Sequence, residues 1–170
     1  MRVLVKVFVA VFCLFSVSCC YGGTGKNSLK KVSYDGASMH KKDHAAIAWE
    51  SLKEATEASQ RDRKPICLFF TGSDWCIWCI RMEKQIMSTP EFANFSRKHL
   101  HMVLVDFPQS TPLDESTKQQ NRLLKQKYNV NGFPELVFID SEGKVLSRQG
   151  YEQGGARPYI SKLKRELSIK

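Results

Sequence analysis

A chain of 170 residues has room for one ordinary domain with a real hydrophobic core, so disulfide staples are not needed to hold it. Apolar content of 42% and charged content of 25% exclude a disordered chain and fit a globular one. The formal charge of +9, or +7 once the first 22 residues with Arg2 and Lys6 and no acid are set aside, is scattered over clusters such as Lys30-Lys31, Lys41-Lys42, Arg61 to Lys64 and Lys162 to Arg165. Without interleaved aromatics these clusters read as solvated faces, with attraction to anionic lipid or acidic partners as the alternative, and no nucleic-acid partner is expected.

Along the chain, Met1 to Lys6 supplies positive charge, Val7 to Val17 is apolar, and Ser18-Cys19-Cys20-Tyr21-Gly22-Gly23 is small or polar. Residues 1–22 thus have the form of a secretory signal peptide. As a membrane span, Val7 to Cys20 would cover only about 21 Å of a roughly 30 Å hydrocarbon core. Ser16-Val17-Ser18-Cys19 is similar to a degenerate bacterial lipobox lacking its usual Leu, so two outcomes stay open: lipidation of Cys19, or plain removal near Gly22 or Gly23. Both remove Cys13, and the cysteines that remain in either case are Cys67, Cys76 and Cys79, a pair plus an odd cysteine rather than a disulfide framework. Residues 23–42, rich in Gly, Ser, Lys and Asn without periodicity, are expected to be a flexible arm, and residues 43–170 the folded domain.

In that domain a first helix is expected from Asp43, with Asp43 as its cap and Ala45, Ala46, Trp49 and Leu52 at helical spacing, ending before Arg61. Ile66 to Phe70 reads as a central strand, and Cys67 within it as a buried, inert thiol. A helix from Cys76 to about Ser88, a short helix from Glu91 to Lys98, and a strand from His101 to Phe107 follow. A helix from Glu115 to Tyr128 shows Leu123, Leu124 and Tyr128 at core spacing. Glu135 to Asp140 and Val145 to Gln149, joined by Ser141-Glu142-Gly143-Lys144, carry a hairpin signal. Ala156 to Ser168 closes the chain with Tyr159, Ile160, Leu163 and Leu167 facing inward. This order predicts an α/β fold: parallel crossovers and then a hairpin, giving a mixed sheet with helices on both faces.

The informative stretch is Phe70 to Glu83, where an apolar strand meets Thr71-Gly72-Ser73-Asp74 and then Trp75-Cys76-Ile77-Trp78-Cys79. Cysteines at i and i+3 can bridge within one helical turn, and a helix start favours a thiolate through its free N–H groups and its dipole. A disulfide that opens and closes is the chemistry this spacing suggests. A structural zinc site needs four ligands, and neither a second cysteine pair nor a finger spacing among His40, His44, His99 and His101 supplies them. Haem attachment needs His after the second cysteine, where Ile80 stands. No metal and no cofactor are therefore expected.

The run Phe69 to Cys79, followed about 55 residues later by Gly132-Phe133-Pro134 and a hairpin, resembles the thioredoxin superfamily, in particular exported bacterial thioredoxin-like proteins with a GSDWCxWC signature. The likeness spans Ala45 to Lys170. It implies that Cys76 is the nucleophile, Cys79 the resolving thiol and Pro134 a cis-proline facing the disulfide. Cys76, nearer the helix end, has the better claim to exposure, while Cys79 lies one turn in. Trp75, Ile77, Trp78, Phe133 and Pro134 would then meet the substrate; for Trp78 a core role stays equally open. Two departures stand out. The strand Cys67-Leu68-Phe69-Phe70 lacks the acid that thioredoxins use to move the proton of the resolving cysteine, leaving water, Asp74, Glu135 or the substrate. The inner dipeptide Ile77-Trp78 supplies no charge or extra donor, and a helix dipole worth up to about 2 kcal/mol does not by itself produce a strong oxidant. The expected activity is thus that of a periplasmic disulfide reductase, with disulfide-containing exported proteins as substrates, a membrane electron donor as partner, membrane contact only through a lipidated Cys19, and a monomeric state. Oxidase or isomerase action, or a non-catalytic peptide-binding or chaperone module, are the alternatives. Leu167-Ser168-Ile169-Lys170 is no retrieval signal for the endoplasmic reticulum, which favours the bacterial periplasm.

Overall fold

The computed structural model describes residues 46–170, so the expected signal peptide of residues 1–22, the expected arm of residues 23–42 and Asp43 lie outside the described residues. The first helix starts later than the expected Asp43. Residues 46–51 are not helical; Trp49 forms an isolated parallel bridge with Met102, and the Glu50 N–H donates to Met102 O at 2.8 Å. Helix α1 spans Leu52–Asp62 and starts on a capping box, in which the Ser51 hydroxyl accepts from the Glu54 N–H and the Glu54 carboxylate accepts from the Ser51 N–H. Two orphan donors are met there. Trp49 is freed to stack on Phe69, ring centroids 6.2 Å apart.

Arg63 ends α1 in the left-handed conformation, and Pro65 leads into β1, Ile66–Thr71, which is buried along its whole length. It lies between β2 (His101–Asp106), parallel, and β3 (Glu135–Ile139), antiparallel; β4 (Val145–Gly150) pairs antiparallel with β3 at the far edge. The sheet order is β2-β1-β3-β4. It is mixed as expected, with β1 and β2 as its parallel pair. The β3–β4 turn is closed by Asp140, whose carboxylate accepts from the Glu142 and Lys144 N–H groups, and by Gly143 at φ +83°.

Alternation along β1 sorts the core into two layers. Cys67 and Phe69 face Met82, Phe92, Phe95, Tyr159 and Leu163, which come from α2 (Ile77–Met82), α3 (Pro90–His99) and α5 (Ala156–Glu166). Ile66, Leu68 and Phe70 face Ala55 of α1 and Leu124 of α4 (Glu115–Lys127). Burial pushes the Cys67 thiol far above its ordinary range, as suits an inert core residue. On α4 the inward face is Asn121, Leu124 and Tyr128, whereas Leu123, expected inside, is 57% exposed. The reason is angular: residue 123 lies roughly 100° or more, over a quarter of a turn, from each member of the 121–124–128 stripe. The helix after the cysteines also departs from expectation. It is α-helical only to Met82 and continues as a π-helical segment, Glu83–Met87, which lets Met82, Ile86 and Met87 all be fully buried.

Strand polarity puts four chain segments at one end of the sheet. Thr71 pairs with Asp106, and Phe70 with Glu135, which in turn pairs with Gly150. Residues 72–76, 107–110, 133–134 and 151 therefore converge beyond the carboxyl end of β1, where open sheets place their sites.

At the opposite end His101 is buried between two acids, Nδ1 lying 3.0 Å from Glu50 Oε1 and Nε2 3.1 Å from Asp62 Oδ1. Burial raises the Asp62 carboxyl, but the Lys64 N–H, the His101 ring and the Lys64 ammonium outweigh this and hold it down at about 2, against an ordinary 3.8. His101→Ala is expected to lower unfolding stability by about 0.5–1.5 kcal/mol in urea titrations, since it removes the ring that bridges Glu50 and Asp62 while Asp62 keeps its bonds to Lys64. A loss under about 0.5 kcal/mol would show the bridge to be idle. Because the folded carboxyl is depressed, its contribution is complete above pH 3.8 and disappears as pH falls toward about 2. Asp62→Asn should therefore be less stable than the native chain at pH 6, with the gap closing near pH 2.

Candidate active site

The loop out of β1 is tied on three sides before it reaches the cysteines. Asp106, buried at the end of β2, accepts from the Ser73 N–H at 3.0 Å and the Ser73 hydroxyl at 2.6 Å. In the other direction, the Asp74 carboxylate accepts from the N–H groups of Gln109 (3.0 Å) and Ser110 (2.6 Å), which hold its carboxyl below the usual range. Trp75 Nε1 donates to Phe107 O at 2.8 Å. The Cys76 N–H closes the turn on Gly72 O at 2.9 Å.

Cys76 is the N-cap of α2, in extended conformation, and Cys79 sits one turn inside. They form a disulfide, with Cα atoms 5.2 Å apart. The two sulfurs meet unlike surroundings: Cys76 is 7% exposed and Cys79 1%. The Cys79 N–H donates to Cys76 Sγ at 3.2 Å, in the manner of a side-chain cap. A negative charge on that sulfur would receive this bond directly, together with the field of the helix start. The Phe133–Pro134 peptide bond is cis, and Phe133 O lies 3.7 Å from Cys76 Sγ.

Trp75, Ile77 and Trp78 adjoin the cysteines along the chain, and Phe133 with the cis-Pro134 faces Cys76 across the site. Trp75 is 45% exposed and meets Phe133 edge to face at 6.1 Å. Ile77 and Trp78 are also exposed, so Trp78 is a surface aromatic and not a core one. Residues that sequence reasoning did not place also take part. Phe107 stacks on Phe133 at 5.1 Å, and the Lys125 ammonium caps both rings at 5.8 and 5.4 Å. Tyr151 lies against Trp78 at 5.8 Å, and the Arg81 guanidinium sits over the Trp78 ring at 4.8 Å. Phe107 and Tyr151 follow the ends of β2 and β4 directly, a position that strand pairing explains and spacing does not. Of the acids considered for proton transfer, Asp74 is bound to the 109–110 backbone and Glu135 is paired with Arg148 at 2.6 Å. Among the described residues no cluster of His, Cys, Asp or Glu is arranged to hold a metal ion.

Helix-flanked mixed sheet, cysteine pair at a helix start and facing cis-proline together define the class. Residues 52–156 match the thioredoxin-like domain family, to which the chain belongs, and with the Cys76–Cys79 pair it is a thiol–disulfide oxidoreductase. It is 56% identical over 126 residues to the disulfide bond reductase DsbH of Chlamydia pneumoniae, covering 74% of this chain and 76% of that one. A solved structure described as a DsbH oxidoreductase superposes with a TM-score of 0.73 at 53% identity, over 78% of this chain and 92% of that one. A segment making up 15% of the thiol:disulfide interchange protein DsbD of Pectobacterium atrosepticum is 30% identical over 96 residues, or 56% of this chain.

Gly72 is the point at which this site is most sensitive to a small change. A β-carbon there would stand 2.5 Å from Trp75 Cε2 and 2.6 Å from Nε1, so the indole must leave its place on Phe107 O. Gly72→Ala is expected to slow thiol–disulfide exchange about tenfold or more. In a Trp75→Ala background the same change should cost little further, a non-additivity read from the double-mutant cycle. Additive losses would show that Gly72 acts on something other than the indole.

Proposed function

We propose that the chain is a periplasmic protein-disulfide reductase in which Cys76 is the nucleophile and Cys79 the resolving thiol. The observation that carries this is the difference between the two sulfurs: Cys76 is the less buried, 7% exposed against 1%, with a backbone N–H aimed at it, and Cys79 lies one turn inside. In the reduced protein the Cys76 thiolate attacks one sulfur of a substrate disulfide, forming a mixed disulfide and releasing the first substrate thiolate. The Cys79 thiolate then attacks Cys76 Sγ and expels the second, leaving the Cys76–Cys79 disulfide. Two electrons pass to the substrate, whose thiolates take up protons. Trp75, Ile77, Trp78, Phe133 and Pro134 form the contact surface; Pro134 has no N–H, so the Phe133 backbone is what an extended substrate segment would meet. Asp74 and Glu135 both have partners, which leaves water or the substrate to take the Cys79 proton.

The direction follows from what surrounds Cys76. A strong oxidant needs its reduced thiolate heavily stabilised. Here one N–H bond and a helix start do so, the inner dipeptide is apolar, and the nearby Asp74 carboxylate opposes a second negative charge. Kinship with the Dsb proteins supports a periplasmic location and exchange with other disulfide-handling partners. We further assign residues 1–22 to an export signal and 23–42 to an arm ahead of the domain of residues 43–170. Substrates are disulfide-containing exported proteins, a membrane dithiol protein returns the electrons, and the enzyme works as a monomer without cofactor. Lipidation of Cys19 is the alternative to plain removal of the signal; the intact mass of the mature chain distinguishes the two.

Equilibration with glutathione tests the direction. The expected potential lies nearer the roughly −270 mV of thioredoxin than the roughly −120 mV of DsbA, and a value at the oxidising end sinks the reductase reading. Insulin-disulfide reduction should vanish in Cys76→Ser; retained activity in that variant removes Cys76 from the mechanism.

A further inference from the structure

The exposed face of α2 carries a feature that the exchange chemistry does not use. Arg81 stands three residues after Trp78 and four after Ile77, on the same outward face, while Cys79 and Met82 turn inward. Its guanidinium lies over the Trp78 ring at 4.8 Å. The ring is itself held: Tyr151 packs against it at 5.8 Å, and the Tyr151 hydroxyl donates to Gln85 Oε1 at 2.6 Å. Arg81 has no carboxylate partner among the described residues, in contrast with Arg148 and Arg157, which pair with Glu135 and Glu91. A guanidinium stacked on an aromatic face keeps its edge N–H groups free and loses little entropy when a planar carboxylate docks. The stack thus forms a preorganised carboxylate receptor at the rim of the apolar patch around Cys76, on a chain whose net charge is still +7 without residues 1–22 and so favours acidic partners.

We propose that Arg81, held by Trp78 and Tyr151, is a specificity determinant that binds an Asp or Glu side chain flanking the cystine of the partner polypeptide. The partner segment is apolar next to its cysteine, where it meets Ile77, Trp78 and Phe133, and acidic a few residues further on. This deepens the reductase reading and rests on the same exchange site.

The test uses two synthetic peptides of equal length, each with one intramolecular disulfide and an apolar residue beside the cysteine, one flanked by Glu and one by Lys. With pre-reduced full-length protein at low ionic strength, kcat/KM should favour the Glu peptide about fivefold to tenfold, mostly through KM, and 0.5 M salt should erase most of the preference. Arg81→Glu should invert it, and Trp78→Leu should weaken it by freeing Arg81 from its platform. Because the readout is a ratio within each variant, a general loss of activity does not imitate it. An unchanged ratio in Arg81→Glu overturns the proposal. The same ratio measured with oxidised protein and dithiol peptides keeps the two readings apart. Turnover only in that direction, with the preference intact, sinks the reductase reading and leaves Arg81 its role; no exchange in either direction ends both.

Discussion

The site depends on a reciprocal clamp between two loops that leave neighbouring parallel strands. Asp106 at the end of β2 reaches across to hold Ser73, and Asp74 reaches back to hold the N–H groups of Gln109 and Ser110. Each carboxylate satisfies backbone donors that would otherwise have to find water, and charge-assisted bonds of this type are the stronger class. Between the two, Trp75 bonds to Phe107 O. The segment before Cys76 is thus fixed to the sheet at three successive residues. A cysteine pair that must exchange covalent partners needs such a frame, because its reach to a substrate sulfur is set by the backbone that carries it.

The clamp also explains why Phe133 stands where it does. Phe107, pinned by its own carbonyl to Trp75, offers its ring to Phe133, and Lys125 of α4 covers both. The cis-proline loop is therefore positioned by an aromatic pair and a cation, with the Phe133 carbonyl set against Cys76 Sγ. Two elements far apart in sequence meet at Cys76 Sγ, its own helix through the Cys79 N–H and the cis-proline loop through Phe133 O, while the β2 exit holds the neighbouring Trp75.

What the sequence made legible divides along the range of the interactions. The strand at Ile66 to Phe70, the hairpin, the helix periodicities and the cysteine pair are local patterns, and these were readable. The start of α1 was readable too: Ser51-Leu52-Lys53-Glu54 is a capping box, but the apolar residues ahead of it favoured a longer helix from Asp43. Trp49 decided the matter through a stack on Phe69 that no local rule contains. The π-helical segment at Glu83–Met87 has the same origin, since burying both Ile86 and Met87 is a demand of the core and not of helix propensity. Phe107 and Tyr151 were not legible as site residues because only strand pairing brings 71 beside 106 and 135 beside 150.

That division bears on how the exchange chemistry and its selectivity are separated in this chain. The inner side of α2 faces the core with Cys79 and Met82, and there a change of volume is felt by the sheet. The outer side, Ile77, Trp78 and Arg81, touches the body of the domain chiefly through Tyr151, which is anchored on Gln85 of the π-helical segment. Substitutions on that outer face can alter what docks without moving the sulfur, since Cys76 is positioned by the clamp, by Phe133 and by the Cys79 N–H. The wider π turn contributes by ending the α-helical ladder at Met82 and letting Gln85 meet Tyr151, so a departure from regular helix that the core imposes also fixes the aromatic floor on which the guanidinium rests.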